Sequence, residues 1–136
     1  MAEERILAEM LAAALRARAN AHAPYSGFKV GACVRGESGR LFAGCNVENA
    51  AYPQGQCAEA TAIGALVAAG DRRVLECLVV AEGPGLVTPC GGCRQRLREF
   101  ASDDTPIHLA DPGAVRRHTT LGQLLPFSFG PDHLKK

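Results

Sequence analysis

The chain has almost no imbalance of charge. Lys and Arg number 15 against 14 Asp and Glu, a formal net charge of +1, and no long basic run occurs. Proteins that work on nucleic acid concentrate basic residues on one face, so that class of partner is not expected here. Long apolar runs are missing too: none approaches the roughly 20 residues that span a bilayer, so no membrane partner is expected. The opening residues Glu3, Glu4 and Arg5 lack the basic-then-apolar order of a signal peptide, which gives a cytoplasmic location as the expectation. Internal repeats, low-complexity segments and domain linkers are also lacking. At 136 residues, with 47% apolar and 21% charged residues, the chain is expected to be a single domain over 1–136 with a real core.

What is present is cysteine, six in all. With no export signal, they favour metal ligands or free thiols over disulfides. Cys90 and Cys93 form a C-x-x-C pair within Pro89-Cys90-Gly91-Gly92-Cys93, close enough to grip one ion from a single helical turn. Cys57, far upstream in Cys57-Ala58-Glu59, supplies a third thiolate once the chain folds back. Structural zinc is closed by four protein ligands, whereas catalytic zinc keeps three and a water. Three cysteines with a carboxylate two positions from one of them read as an open Zn²⁺ site with an acid/base attached. The pattern resembles the signature of zinc-dependent deaminases, in which a non-ligating Glu follows the first ligand and P-C-x-x-C supplies the others. Glu59 is then the proton shuttle, taking a proton from water and passing it to a ring nitrogen and the leaving amine.

The elements around these residues follow from periodicity. Ile6, Leu7, Met10, Leu11, Ala14 and Leu15 predict an amphipathic helix over 3–20, followed by Pro24 and a Tyr25-Ser26-Gly27 turn. Phe28–Val34 reads as a strand, Gly36–Gly39 as a hairpin turn and Arg40–Val47 as the returning strand. A helix over Cys57–Ala69 is closed by Gly70, and Val74–Ala81 is a strand of buried character on both faces. Cys90–Phe100 is a second metal-bearing helix after a Gly/Pro loop. Pro106–Ala110 and Val115–Thr119 are strands, Leu121–Leu125 a helical turn, and Pro126–Lys136 an irregular tail. The fold class this order implies is α/β, a three-layer α/β/α domain with a central mixed sheet of about five strands.

Bland alternatives exist for each residue singled out. A structural zinc site needs a fourth ligand, for which Cys45 and His22 are the candidates, though neither stands in a ligand-pair spacing. A redox C-x-x-C leaves Cys57-Ala58-Glu59 without a use. Cys33 and Cys77 lie in apolar strands and read as small core residues. His108, His118 and His133 have no metal spacing and read as structural or exposed. The cluster Asn46, Glu48 and Asn49 at a strand end serves either as ligand contacts or as loop capping.

Five stretches together resemble the short, homotetrameric cytidine deaminases. They are Ala23-Pro24-Tyr25-Ser26-x-Phe28-x-Val30-Gly31-Ala32, Gly44-Cys45-Asn46-Val47-Glu48-Asn49-Ala50, Cys57-Ala58-Glu59-x-Thr61-Ala62-Ile63, Pro89-Cys90-Gly91-x-Cys93-Arg94-Gln95 and Leu124-Leu125-Pro126-x-x-Phe129-Gly130-Pro131. They run in family order from about residue 5 to 134. The resemblance implies hydrolysis of cytidine and 2′-deoxycytidine to the uridine nucleosides and ammonia, in pyrimidine salvage. It implies one Zn²⁺ per subunit on Cys57, Cys90 and Cys93, with Glu59 as shuttle. It further implies that Phe28 packs on the pyrimidine and that Asn46 and Glu48, projecting to one side of extended chain, bond the ribose hydroxyls. The Ala58 N–H would hold the base carbonyl and the Thr88 carbonyl the departing amine. Sites in this family lie at subunit boundaries, so Tyr52 and Phe129 would reach a neighbour's pocket in a homotetramer.

The chain departs from the family at one point. Many relatives with three cysteine ligands carry arginine directly after the catalytic glutamate, where it hydrogen-bonds the thiolates. Here that residue is Ala60, and Arg94, beside Cys93, is the expected substitute. The other readings weighed are a deaminase of a modified nucleoside or an antibiotic such as blasticidin S, a nucleic-acid cytosine editor, and a zinc-stabilised structural module. The ribose pair counts against the first and the absence of a basic groove against the second.

Overall fold

The computed structural model describes residues 2–134. Its chain order is α1 (Ala2–Ala19), β1 (Val30–Gly36), β2 (Leu41–Cys45), α2 (Ala58–Ala68), β3 (Val74–Ala81), α3 (Gly91–Phe100), β4 (Pro106–Ala110), β5 (Val115–Thr120) and α4 (Leu121–Leu124). Two single 3-10 turns, Tyr52–Gln54 and Pro131–His133, complete it. The strands form one five-stranded mixed sheet in the order β2-β1-β3-β4-β5. Only β3 and β4 run parallel; they are the pair joined through a helix, α3, as parallel neighbours require.

Alternation along the strands divides the core into two layers. Cys33, Leu78, Val80 and Ala110 face Met10 and Ala14 of α1. Ala32, Val34, Val79 and Leu109 face Ala62, Ile63 and Leu66 of α2 and Leu97 of α3. The architecture is thus α/β/α around a mixed sheet. Cys33 and Cys77 are fully buried, as expected of small core residues, and burial pushes the Cys33 thiol up to about 12.

Two glycines let the helices lie against the sheet. A Cβ on Gly31 would sit 2.1 Å from the Ala14 carbonyl oxygen, on the α1 side. A Cβ on Gly44 would sit 2.5 Å from the Ala62 nitrogen and 2.7 Å from the Ala58 oxygen, on the α2 side. The second approach seats the first turns of α2 directly on β2.

Differences from the sequence reading have local causes. The first strand begins at Val30, not Phe28, because Asn46 takes over the backbone there: its Nδ2 donates to the Phe28 carbonyl at 2.8 Å, and its Oδ1 accepts from Val30 N–H at 2.9 Å. β3 is not buried on both faces throughout. Leu75 is exposed and Glu76 only partly buried, where the register with β1 shifts between Arg35 and Gly36; burial is continuous only from Cys77 to Ala81. Within the tail, Pro131–His133 forms a 3-10 turn, held where Arg98 binds Asp132 at 2.7 Å and Ser128 Oγ at 2.8 Å. The tail's Lys135 and Lys136 lie outside the described residues.

Glu76 lies in a polar chain that crosses four adjacent strands. Arg35 on β1 donates to it at 2.8 Å, and His108 on β4 meets its other oxygen at 2.7 Å. His108 Nδ1 in turn lies 2.8 Å from His118 Nδ1 on β5. The two histidines are therefore structural, as their spacing suggested.

Candidate active site

Cys57 is the N-cap of α2 and Cys90 the N-cap of α3, each with extended backbone and neither making a side-chain capping bond. Cys93 lies in the first turn of α3 and is buried. Packing of both helices on the same sheet face brings the three sulfurs within 4.8 Å of one another. Cys57 Sγ and Cys90 Sγ are 3.8 Å apart. A tetrahedral zinc ion with Zn–S bonds of about 2.3 Å holds its sulfurs about 3.8 Å apart, so this donor set fits zinc in both chemistry and spacing. Among the described residues no fourth side chain joins the cluster. His22 and Cys45, the candidates for a fourth ligand, are not in the cluster, so neither closes the site.

The electrostatics follow from burial and crowding. Burial pushes the Cys93 thiol up, and the charges of Glu59, Cys57 and Cys90 add to the rise. Cys57 also moves up, chiefly through burial. Cys90 moves down: burial opposes the shift, but the nearby Cys93 N–H dipole and the Cys57 and Cys93 thiols favour its thiolate and outweigh it. A divalent cation overrides this order by displacing the protons of coordinating thiols. Glu59, in the first turn of α2 and 4% exposed, is raised above the ordinary carboxyl value by burial; its own N–H, the Arg96 charge and the Cys93 thiol pull the other way. A carboxylate so raised is a better proton acceptor near neutral pH.

A cavity of about 220 Å³ opens on this cluster. Phe28, Asn46, Ala58 and Thr88 line it together with Glu59, Cys57 and Cys90, so the structure assembles seven of the sequence-predicted residues around one space. Val30, Val79 and Val87, which the sequence reading did not single out, supply its apolar wall. The volume lies below the roughly 300–1,000 Å³ of sites that enclose a drug-sized ligand. It suits a single ring with the rest of the molecule leading outward.

Three predicted residues stand elsewhere. Glu48 and Tyr52 line a separate cavity of about 330 Å³ with Tyr25, Ser26 and Asn49. Phe129 lies beside Gln95, Glu99 and Gly130 and is 56% exposed. Asn46 and Glu48 do not, therefore, line a common space. Both perform the loop-capping role left open by the sequence. Glu48 accepts from the Tyr25 and Ser26 N–H groups at 3.0 and 3.1 Å and from the Ser26 hydroxyl, which holds its carboxyl below the usual value despite the cost of desolvation. The Ser26 hydroxyl oxygen also accepts from Phe28 N–H at 3.0 Å, linking the two cavities.

The expectation for Arg94 is corrected. Its guanidinium reaches no thiolate: it donates to the Pro89 carbonyl at 2.8 Å, the Leu124 carbonyl at 2.7 Å and Thr88 Oγ1 at 3.0 Å. Adjacent residues on a helix diverge by a large angle, so a neighbour in sequence is a poor partner for the same atom. The cation that does reach a sulfur is Arg96, whose Nη1 lies 3.7 Å from Cys93 Sγ. Its i+3 spacing from Cys93 is the sequence signal that could have found it.

Comparison with known proteins agrees with this geometry. Residues 4–109 match the family described as "Cytidine and deoxycytidylate deaminase zinc-binding region". A cytidine deaminase from Sporosarcina psychrophila is 40% identical over 126 residues, covering 93% of each chain. One from Mycobacterium tuberculosis is 41% identical, covering 90% of this chain and 89% of the relative. The crystal structure of cytidine deaminase from Burkholderia pseudomallei superposes with a TM-score of 0.83 at 43% identity, covering 90% of this chain and 98% of that one. Fold, thiolate cluster and sequence therefore agree, and the chain belongs to the cytidine and deoxycytidylate deaminase zinc-binding family.

Proposed function

We propose that the protein hydrolyses cytidine and 2′-deoxycytidine to uridine and 2′-deoxyuridine, releasing ammonia, and that it serves pyrimidine salvage. The observation that carries this reading is the buried Glu59 lining the same small cavity as the Cys57 and Cys90 thiols, with Cys93 completing the cluster. Cys57, Cys90 and Cys93 would hold the zinc ion, which when bound would make the attacking water more acidic. Glu59 accepts the proton of the attacking water and delivers it to the ring nitrogen, which makes the amino-bearing carbon electrophilic. A C–O bond forms at that carbon. Glu59 then takes the proton of the newly formed hydroxyl and passes it to the amino group. The C–N bond breaks as the C=O forms, and ammonia departs with the pair of electrons. The Thr88 carbonyl accepts from that amine, and the Ala58 N–H, free at the start of α2, donates to the base carbonyl. Phe28 packs on the ring.

Asn46 retains one N–H and one lone pair beyond its bonds to Phe28 and Val30, enough for a ribose hydroxyl. Glu48 is held rigid by Tyr25 and Ser26 with acceptor capacity left for a second. The subunit arrangement is proposed as a homotetramer in which Tyr52 and Phe129 approach a neighbour's site. In support, Tyr52 is 74% exposed, and Phe127 points fully into solvent from backbone with φ +54°, a conformation that large side chains seldom adopt. No described helix is long and apolar enough to cross a membrane. A cytoplasmic location rests on the sequence reading.

The test is ultraviolet monitoring of cytidine with zinc-loaded protein, with Glu59→Gln protein of equal zinc content alongside. Conversion to uridine by the wild type, and a fall of at least about 10²–10⁴-fold in the variant, is expected. No conversion by folded, zinc-loaded wild type would overturn the substrate assignment.

A further inference from the structure

Zinc(II) with three thiolates carries a formal charge of −1, and Glu59 stands beside it. Such a centre needs a compensating donor, and the position after the glutamate, Ala60, offers none. Arg94 is turned away, donating to Pro89, Thr88 and Leu124. Arg96 is placed differently. It follows Cys93 by three residues on α3, and helical side chains lean toward the helix N-terminus, so its guanidinium returns over the turn that carries the sulfurs. Its path crosses Gly92, where an added Cβ would lie 3.4 Å from Nη1. The contact ends 3.7 Å from Cys93 Sγ.

We propose that Arg96 is a positioning residue of the metal centre, its Nη1–H donating to the Cys93 thiolate and drawing electron density from that sulfur. This rests on the zinc-deaminase reading above. A donor on a ligating sulfur weakens that ligand's donation to the metal, which keeps the metal a stronger Lewis acid; outer partners of this kind change affinity or activity by about 10–100-fold when removed. Cys57 and Cys90 receive no such cation among the described side-chain hydrogen bonds, so the effect centres on Cys93.

The experiment uses cobalt(II)-substituted full-length protein, whose thiolate-to-cobalt charge-transfer band reports the electron density on the sulfurs. Arg96→Ala with one cobalt per chain is expected to move the band to longer wavelength. The zinc form of the variant is expected to lose about tenfold or more in kcat, with KM little changed. Arg96→Lys should recover part of both effects. A band at the wild-type wavelength in Arg96→Ala overturns the proposal, even if kcat falls, because that is the behaviour of a merely structural arginine. Should the alanine variant fail to hold cobalt, Arg96→Gln takes its place: a red-shifted band is required, and an unshifted one overturns the proposal. Absence of any thiolate charge-transfer band in the wild type would instead overturn the metal-site reading itself.

Discussion

Gly44→Ala and Gly31→Ala form a matched pair that separates the seating of the active site from the stability of the fold. Each places one methyl group where a helix crosses the sheet. The Gly44 methyl would meet Ala62 N at 2.5 Å and Ala58 O at 2.7 Å, so α2 must lift from β2. The Gly31 methyl would meet Ala14 O at 2.1 Å and Arg18 Cβ at 2.8 Å, so α1 must lift on the opposite face. Overpacking of this kind costs about 1–3 kcal/mol, offset by roughly 0.4–1 kcal/mol from the stiffer unfolded chain. Either variant should therefore lose several degrees in Tm. Only Gly44→Ala moves the helix that carries Cys57, Ala58 and Glu59. If the strain is relieved by moving Cys57 away from Cys90 and Cys93, rebuilding the zinc site must restore it, and zinc affinity falls by about 5- to 150-fold. Competition with a chromophoric chelator measures this directly, with differential scanning calorimetry of both variants alongside. Equal zinc affinities in the two variants, in the face of equal losses of Tm, would refute the claim that the close approach at Gly44 sets the metal geometry.

The carboxyl of Glu76 is held below its ordinary value of 4.5, first by the hydrogen bond from His108 and then by Arg35, against the cost of desolvation. A depressed carboxyl stabilises the fold above its unfolded pKa and loses that contribution as pH falls through the folded one, so wild-type stability should drop from about pH 4.5 downward. In Glu76→Gln the slope of urea-unfolding free energy against pH should be shallower over that range; an unchanged slope would count against the linkage. Arg94→Met should destabilise the protein by about 1–3 kcal/mol, because the Pro89 and Leu124 carbonyls lose a charged donor, as read by urea denaturation. With cobalt(II) in place of zinc, its thiolate-to-cobalt band should stay at the wild-type wavelength.

Much of this was legible in the chain because it is set by local rules. The C-x-x-C pair and the third cysteine beside Glu59 define a metal site by residue type and spacing. Gly70, at φ +103°, ends its helix where the pattern said it would. The start of β1 was not legible, since it depends on Asn46 folding back to cap residues 16 and 18 positions earlier. The polar chain Arg35–Glu76–His108–His118 was hidden for the same reason: it exists only once four strands are in register. The error over Arg94 is of another kind. Adjacency in sequence stood in for adjacency in space, whereas on a helix the turn, not the next residue, brings a side chain back to the same atom.

Helices α2 and α3 both begin on a cysteine that makes no capping bond of its own. A side-chain cap ordinarily contributes about 1 kcal/mol to a helix start. Here that position is given to ligation, so the ion splints two helix ends at once. A chelator would then do more than take away the Lewis acid. The turn it loosens in α2 also carries the Glu59 carboxylate and the Ala58 N–H, so proton transfer and hold on the base would be lost together with the metal. Activity and local order at these two turns should accordingly return in the same step, as zinc is added back.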